Sequence, residues 1–304
     1  MPYIIDQVRT WEHEQVKVCS ILIENNEIRR IEPSLNNLKF VRMDGRGYYL
    51  TPGLVFFDQT LHRHNNFHEF KREVTSGMLE RGCTTIVHIV DILYERETLV
   101  KLKEHRRKLL NAPIDYVFVI RIPLKKLTPS LIRSCKKWNI PALILTINSH
   151  EELTKMPWGW IKESLFPRPI CLIPEINTSS NYSLIEKEWK NTVQGFRLLS
   201  SEKPVKERTP LSKDLLMKLG LYPERGVIHQ GARVTYNLYR WANKSDLVEE
   251  IDIVDYDNHI PEIIVHNGIV MKAGERFYFQ PGQGQEIQNV YPGRFQMYIP
   301  SIMK

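Results

Sequence analysis

The residues with the chemistry to bind a metal or move a proton gather early in this chain. Asp58 is followed at short range by His62, His64 and His68, while His88 and Glu175 stand near the ends of two later apolar runs, TTIVHIV and PICLIPE. His62-x-His64 has the two-residue spacing that puts both rings on one face of an extended strand, and neutral imidazole is a good zinc ligand. Asn65-Asn66 then signals a turn, so the pair falls in a loop past the strand, where histidines beside basic residues are usually solvated. Asp58 could ligate a metal. His88 and Glu175, near strand ends, would face one common mouth if the sheet is parallel. An imidazole and a carboxylate there suit acid–base work, or serve as satisfied polar groups at a strand edge. No G-x-S-x-G, P-loop or G-x-G-x-x-G occurs, and PGQGQ (281–285) reads as a flexible tail rather than a phosphate cradle. The four cysteines, Cys19, Cys83, Cys135 and Cys171, stand singly beside apolar segments and read as small core hydrophobes, not as a disulfide framework or zinc site.

These groups need a framework to hold them. With 304 residues, 42% hydrophobic and 25% charged, the chain can bury a sizeable core in two modest domains or one large one. No apolar run reaches the ~18 residues of a membrane helix. The segment MPYIIDQVRTWEHEQ is too acidic, and its apolar part too short, for a signal peptide, so a cytoplasmic location is expected. The net charge of +7 is concentrated in KLKEHRRKLL (101–110) and KPVKER (203–208). The first reads as a helix with a buried stripe of Leu99, Leu102, Leu109 and Leu110 and a solvated basic face. No aromatic-interleaved basic groove accompanies it, so a nucleic-acid partner is not expected.

Residues 1–50 read as β-structure, with a hairpin turning on Asn25-Asn26 and a further turn at Asp44-Gly45-Arg46-Gly47. From residue 54 strand and helix alternate. Strands are predicted at 54–59, 84–90, 115–122, 142–147 and 169–175, and helices at 67–82, 95–111, 128–139, 150–165 and 183–200. Thr128 caps one helix ahead of Pro129, and Ser183 caps the last. Continuous β-branched strands between amphipathic helices predict parallel βαβ units with both sheet faces covered. Past residue 201 a charged linker leads to the helix LSKDLLMKLGL, and the run EIIVHNGIVMKAGE predicts a hairpin on Asn267-Gly268.

The stretch YYLTPGLVFFDQT (48–60), the FKREVTSGMLERGCTTIVHI segment (70–89), LLMKLGLYPERGVIHQGA (215–232) and the last hairpin together resemble the amidohydrolase superfamily, in its hydantoinase, dihydropyrimidinase and dihydroorotase branch. The resemblance covers 16–61, 70–90 and 211–275 and is weak between 91 and 210. It implies a TIM-barrel-like layer flanked by a small β-sandwich built from both chain ends. Five strand–helix units between Leu54 and Ser201 are too few for a full barrel of ~250 residues, so the layer is expected to be truncated. The expected domains are 1–50 with 226–304 as a composite β-sandwich, and 51–225 as the truncated α/β barrel.

The resemblance also implies a divalent metal, usually zinc, at the barrel mouth, held by a His-x-His pair on the first strand. Alignment on Pro52-Gly53 puts Asp58 and Thr60 at those positions. PALILTIN lacks the lysine and PICLIPEIN the histidine of the later strands. The expectation is therefore a protein without the usual metal site and with no catalytic residue or cofactor, binding a partner protein or small ligand through Asp58, His62, His64, His88 and Glu175. Two alternatives stand beside it. One is a zinc-dependent hydrolase of cyclic amides with a rebuilt site at Asp58, His62, His64 and His88. The other is a nucleic-acid-associated basic protein. An open five-stranded layer leaves sheet edges that must be covered by the helix after residue 210, by the sandwich or by a second subunit, and a homodimer is expected.

Overall fold

The computed structural model describes residues 1–12, 15–178, 181–241, 259–288 and 290–294. Five strands lie before residue 53: β1 (Tyr3–Glu12), β2 (Gln15–Glu24), β3 (Glu27–Glu32), β4 (Val41–Asp44) and β5 (Tyr48–Pro52). The βα region follows, with β6 (Leu54–Asp58), α1 (Phe67–Gly77), β7 (Cys83–Asp91), α2 (Thr98–Lys108), β8 (Asp115–Pro123), α3 (Pro129–Lys137), β9 (Ala142–Ile147), α4 (His150–Thr154), α5 (Trp158–Leu165), β10 (Cys171–Ile176), α6 (Tyr182–Gly195) and α7 (Lys213–Leu219). The chain then returns to β-structure in β11 (Tyr236–Arg240), β12 (Ile263–His266), β13 (Ile269–Ala273) and β14 (Arg276–Phe277).

The two ends build one nine-stranded mixed sheet in the order β14-β13-β12-β11-β5-β1-β2-β3, with β4 beside β1. Its far end curls back: Gly231 donates to the Ile28 carbonyl, and the Ile28 N–H to Ala232. The fold-over encloses Ile5, Val8, Ile21, Ile23, Leu238 and Val265 in a core of their own. Both expected hairpin turns form. Asn25 and Asn26 have φ of 53° and 64°, and Asn267 and Gly268 have 47° and 76°, the positive pairs that suit a two-residue turn to the twist of its strands.

The other sheet is parallel, in the order β10-β9-β8-β7-β6, and curls into a half-barrel. Its alternation sets where every side chain goes. Phe56, Ile86, Val90, Phe118, Ile120 and Leu143 face the helices and pack with Val74, Leu102, Leu131 and Trp189. Val55, Phe57, Val87, Val119, Ile144 and Ile173 face the concave side, which Leu215, Leu216, Leu219 and Leu221 fill.

The open edges that predicted a second subunit are covered within the chain. At the β10 edge the Leu172 N–H donates to the Leu199 carbonyl and the Ser201 N–H to Leu172. At the β6 edge Arg208 donates to Phe57 and Leu211 to Val55. One irregular segment, 199–211, therefore satisfies the backbone of both edge strands and closes the ring that five strands leave open. Gly53 lies between the two sheets, where a Cβ would sit 2.1 Å from the Thr84 hydroxyl oxygen.

Several expectations need correction. The helix predicted over 150–165 is two, α4 and α5, because Pro157 has no N–H to continue the ladder and disfavours helical backbone at Met156. The last of the predicted helices starts at Tyr182 after Asn181, not at a Ser183 cap, and ends at Gly195. The 67–82 helix ends at Gly77 and passes through a short 3-10 turn to Gly82 in the left-handed region. PGQGQ is no free tail: Gly284 donates to the Ala112 carbonyl, and Tyr116 donates to the Gln285 carbonyl and accepts from the Ile287 N–H, on either side of Glu286. Leu99 and Leu110 are exposed, so the buried stripe of α2 differs from the predicted one. The cysteines are all buried and none forms a disulfide, and burial pushes the Cys83 and Cys171 thiols up to about 12. Among the described residues no helix is long and apolar enough to cross a membrane.

Candidate functional site

Parallel pairing of β6, β7 and β8 puts Asp58 beside His88 and His88 beside Phe118. All three belong to the set that points at the helices, in phase with Phe56, Ile86 and Ile120. Asp58 and His88 are fully buried between the sheet and α2. A buried carboxylate needs hydrogen bonds to stay charged, and Asp58 collects four. Its Oδ1 accepts from the Thr60 N–H and hydroxyl at 3.2 and 3.1 Å, and its Oδ2 from the Leu61 N–H at 3.2 Å and His88 Nδ1 at 2.7 Å. Those backbone bonds start the 3-10 turn Leu61–Arg63 that carries His62.

The bond to Asp58 puts a proton on His88 Nδ1. On the other side of the ring, His88 Nε2 and His105 Nδ1 are hydrogen-bonded to each other at 2.9 Å. His105 comes from the buried face of α2, between Leu102 and Leu109. The His62 ring stacks on His105, with centroids 4.2 Å apart and planes at 28°, and meets His88 edge-on at 5.4 Å. Its Nδ1 is buried and has no hydrogen-bond partner among the described residues. Leaving such an atom unpaired costs about 1–3 kcal/mol. One ring nitrogen from each of His62, His88 and His105 lies within 4.8 Å of the other two.

Burial, the largest influence on Asp58, favours the neutral acid. The hydrogen bond and charge of His88 with the Thr60 and Leu61 N–H groups outweigh it and hold the carboxyl below its ordinary range. Burial, reinforced by the neighbouring His88 and His62, holds His105 down at about 3, and burial also lowers His62. The cluster is thus a carboxylate with His62 and His105 held toward their lone-pair-bearing form.

The concave mouth of the half-barrel is built differently. Asp91, Arg121, Thr146 and Glu175 share the phase of Val87, Val119, Ile144 and Ile173 and face the bowl. Arg121 donates to Asp91 at 2.5 and 2.9 Å and to Glu175 at 2.8 Å, and Thr146 donates to the other Glu175 oxygen at 2.9 Å. Hydrogen bonding to Asp91, ahead of the opposing effect of burial, raises the guanidinium's already high pKa. A metal at this mouth does not fit these residues. The two carboxylates already hold a permanent cation, and the set offers no imidazole or thiolate.

His88 and Glu175 therefore do not share a mouth. Odd and even positions lie on opposite faces of a strand, so His88 points at α2 and Glu175 into the bowl. His64 does not pair with His62. It is 3.9 Å from Glu69 at the surface, and His68 is exposed. Asp58, His62 and His88 do come together. The residue that sequence reasoning missed is His105, assigned with its neighbours to a wet face. Its spacing from Leu102 and Leu109, three and four residues, is the signal that places it on the buried stripe.

The opposite, N-terminal end of the sheet holds a second buried cluster. Arg225 donates to Asp115 Oδ2 at 2.5 Å and to the Thr85 hydroxyl at 3.2 Å. His266 Nε2 lies 3.3 Å from Asp115 Oδ1, which also accepts from the Gln285 N–H at 2.9 Å.

No family model matches the sequence, and no curated protein is similar to it in sequence. Solved structures are similar in fold. The dihydropyrimidinase from Brevibacillus agri NCHU1002 superimposes with a TM-score of 0.64 at 11% identity, over 97% of this chain and 100% of that one. The D-hydantoinase from a Bacillus sp. AR9 gives 0.63 at 13% identity, over 95% and 99%. A triazine hydrolase variant gives 0.55 at 12% identity, over 91% and 96%. The resemblance read at Pro52-Gly53 and Asn267-Gly268 thus holds as architecture: the chain has an amidohydrolase-like fold, with a five-stranded half-barrel and a mixed sheet drawn from its two ends.

Proposed function

We propose that this protein is a non-catalytic member of the amidohydrolase-like group that works by binding a partner or ligand rather than by turning over a C–N bond. The observation that carries the reading is Arg121 seated between Asp91 and Glu175 at the concave mouth. A guanidinium cannot be displaced by pH, and it occupies the carboxylates that face the bowl. The Leu215–Leu221 segment fills the space beneath with apolar side chains. Neither a water-activating metal nor a polar cyclic amide finds suitable groups on this side of the sheet.

The test is an assay of the purified chain, with and without added Zn2+, against cyclic amides, alongside an Arg121→Gln variant. The expected result is no turnover above background for the natural chain under either condition. Zinc-dependent turnover that survives in Arg121→Gln and disappears in His62→Ala would support the second reading, hydrolysis at a rebuilt site. The imidazole cluster favours that reading. The engagement of Asp58 by Thr60, Leu61 and His88 and the separation of His64 weigh against it.

A further inference from the structure

We infer that His62, His88 and His105 form a binding site for a zinc-class divalent cation on the helix-facing side of the half-barrel, separate from the concave mouth, with Asp58 as the group that orients His88. The inference stands whether or not the bowl is inert.

Four observations converge on it. The donors are three imidazoles with no carboxylate among them, a set that suits Zn2+, Co2+, Ni2+ or Cu2+ and not the oxygen-seeking Mg2+ or Ca2+. They already lie within 4.8 Å of one another, held by a turn, a strand and a helix, so little ordering remains to be done on binding. Asp58 accepts from His88 Nδ1 at 2.7 Å, the carboxylate–imidazole pairing that turns the Nε2 lone pair toward a metal and raises its basicity. His62 Nδ1 is a buried ring nitrogen without a partner, while the Asp58 carboxylate behind the cluster is fully bonded.

The proton balance is simple. His88 Nε2 and His105 Nδ1 are 2.9 Å apart and share one proton. Three tetrahedral zinc–nitrogen bonds need nitrogens roughly 3.3 Å apart, so these two rings separate by a few tenths of an ångström and turn toward the ion. The His105 proton passes from Nδ1 to Nε2 of the same ring, which frees Nδ1 for the metal. His62 is the half-buried member of the trio, so the fourth position lies toward solvent for water or an exogenous ligand. Loaded, the ion clamps the turn after β6, the middle of β7 and α2 to one another.

The test uses the full untagged chain, stripped with chelator and titrated with Zn2+ and with Co2+ by calorimetry and thermal unfolding. The expected result is one equivalent bound with a dissociation constant of about 10 µM or tighter, an upward Tm shift at excess metal, and the intense visible absorption of four-coordinate Co2+. His62→Ala, which removes a half-exposed ring, should weaken binding at least tenfold and lose the Co2+ spectrum. Asp58→Asn should weaken it by about 10–100-fold. His64→Ala should change nothing. Absence of saturable binding, binding unaltered in His62→Ala, or loss in His64→Ala each overturns the assignment.

Discussion

Two buried carboxylates, at opposite ends of the same parallel sheet, are satisfied in opposite ways. Asp115 is met by a permanent cation, Arg225, with His266, Asn267 and the Gln285 N–H around it. Its partners come from the segment after α7, from β12 and its turn, and from the C-terminal stretch, so one residue ties together parts far apart in sequence. Asp58 is met by its own following turn and by an imidazole, and beyond that imidazole lie two more rings, one with an unpaired nitrogen. Each cluster leaves a buried imidazole nitrogen without a partner among the described residues, His266 Nδ1 in the first and His62 Nδ1 in the second, but only the first is built around a permanent cation. A guanidinium–carboxylate pair fixes structure; a group of imidazoles beside a carboxylate keeps capacity for something else.

Breaking the cation-paired cluster should do the most damage. Asp115→Ala leaves Arg225 buried without its carboxylate and should cost about 3–5 kcal/mol in urea unfolding. The same residue gives a pH signature. Burial pushes its carboxyl up, but the hydrogen bond and charge of His266, the charge of Arg225 and the Gln285 N–H outweigh it and hold the carboxyl well below its unfolded value. The unfolded chain therefore takes up the proton first, so this contribution is complete above about pH 5 and is lost as pH falls toward the folded value. Replacing Asp115 by Asn should flatten the acid limb of Tm against pH.

Asp58→Asn should cost less, about 1.5–3 kcal/mol, because the amide oxygen still accepts from the turn while the charge-assisted bond from His88 is lost. His62→Ala in metal-free protein should fall within about 1 kcal/mol of the natural chain, since the ring it removes carries an unsatisfied nitrogen. A large loss there, by the same urea measurement, would mean the cluster is structural like the other. At the bottom of the scale, Lys155→Ala at the solvated Glu151 pair should leave Tm unchanged, setting the noise level for the series.

The frame that holds both clusters was largely written in local signals. Continuous apolar runs such as TTIVHIV and ALILTI suit strands covered on both faces, and Asn25-Asn26 and Asn267-Gly268 need the positive φ they adopt. The sites were less legible, because side-chain phase matters more there than residue type. His88 and Glu175 look alike as polar residues near strand ends, yet one residue of phase sends them to opposite faces. His105 sits in a run of six charged or titratable residues, Lys103 to Lys108, where composition hides a position that the helical period puts inside. Arg121 carries no local mark at all. Its partners, Asp91 and Glu175, meet it only through strand register.

The segment that seals the half-barrel also sets an order of events during synthesis. Phe57 and Val55 emerge from the ribosome long before Arg208 and Leu211, so the outer backbone of β6 stays unpaired while the nascent chain is extended through the next four strands. The β10 edge waits only until Ser201 is made. A chain released after Ser201 would carry a hydrophobic parallel sheet with one bare margin, a template for pairing with its own copies. Residues 208–211, unremarkable in composition, thus cover the last bare margin of that sheet.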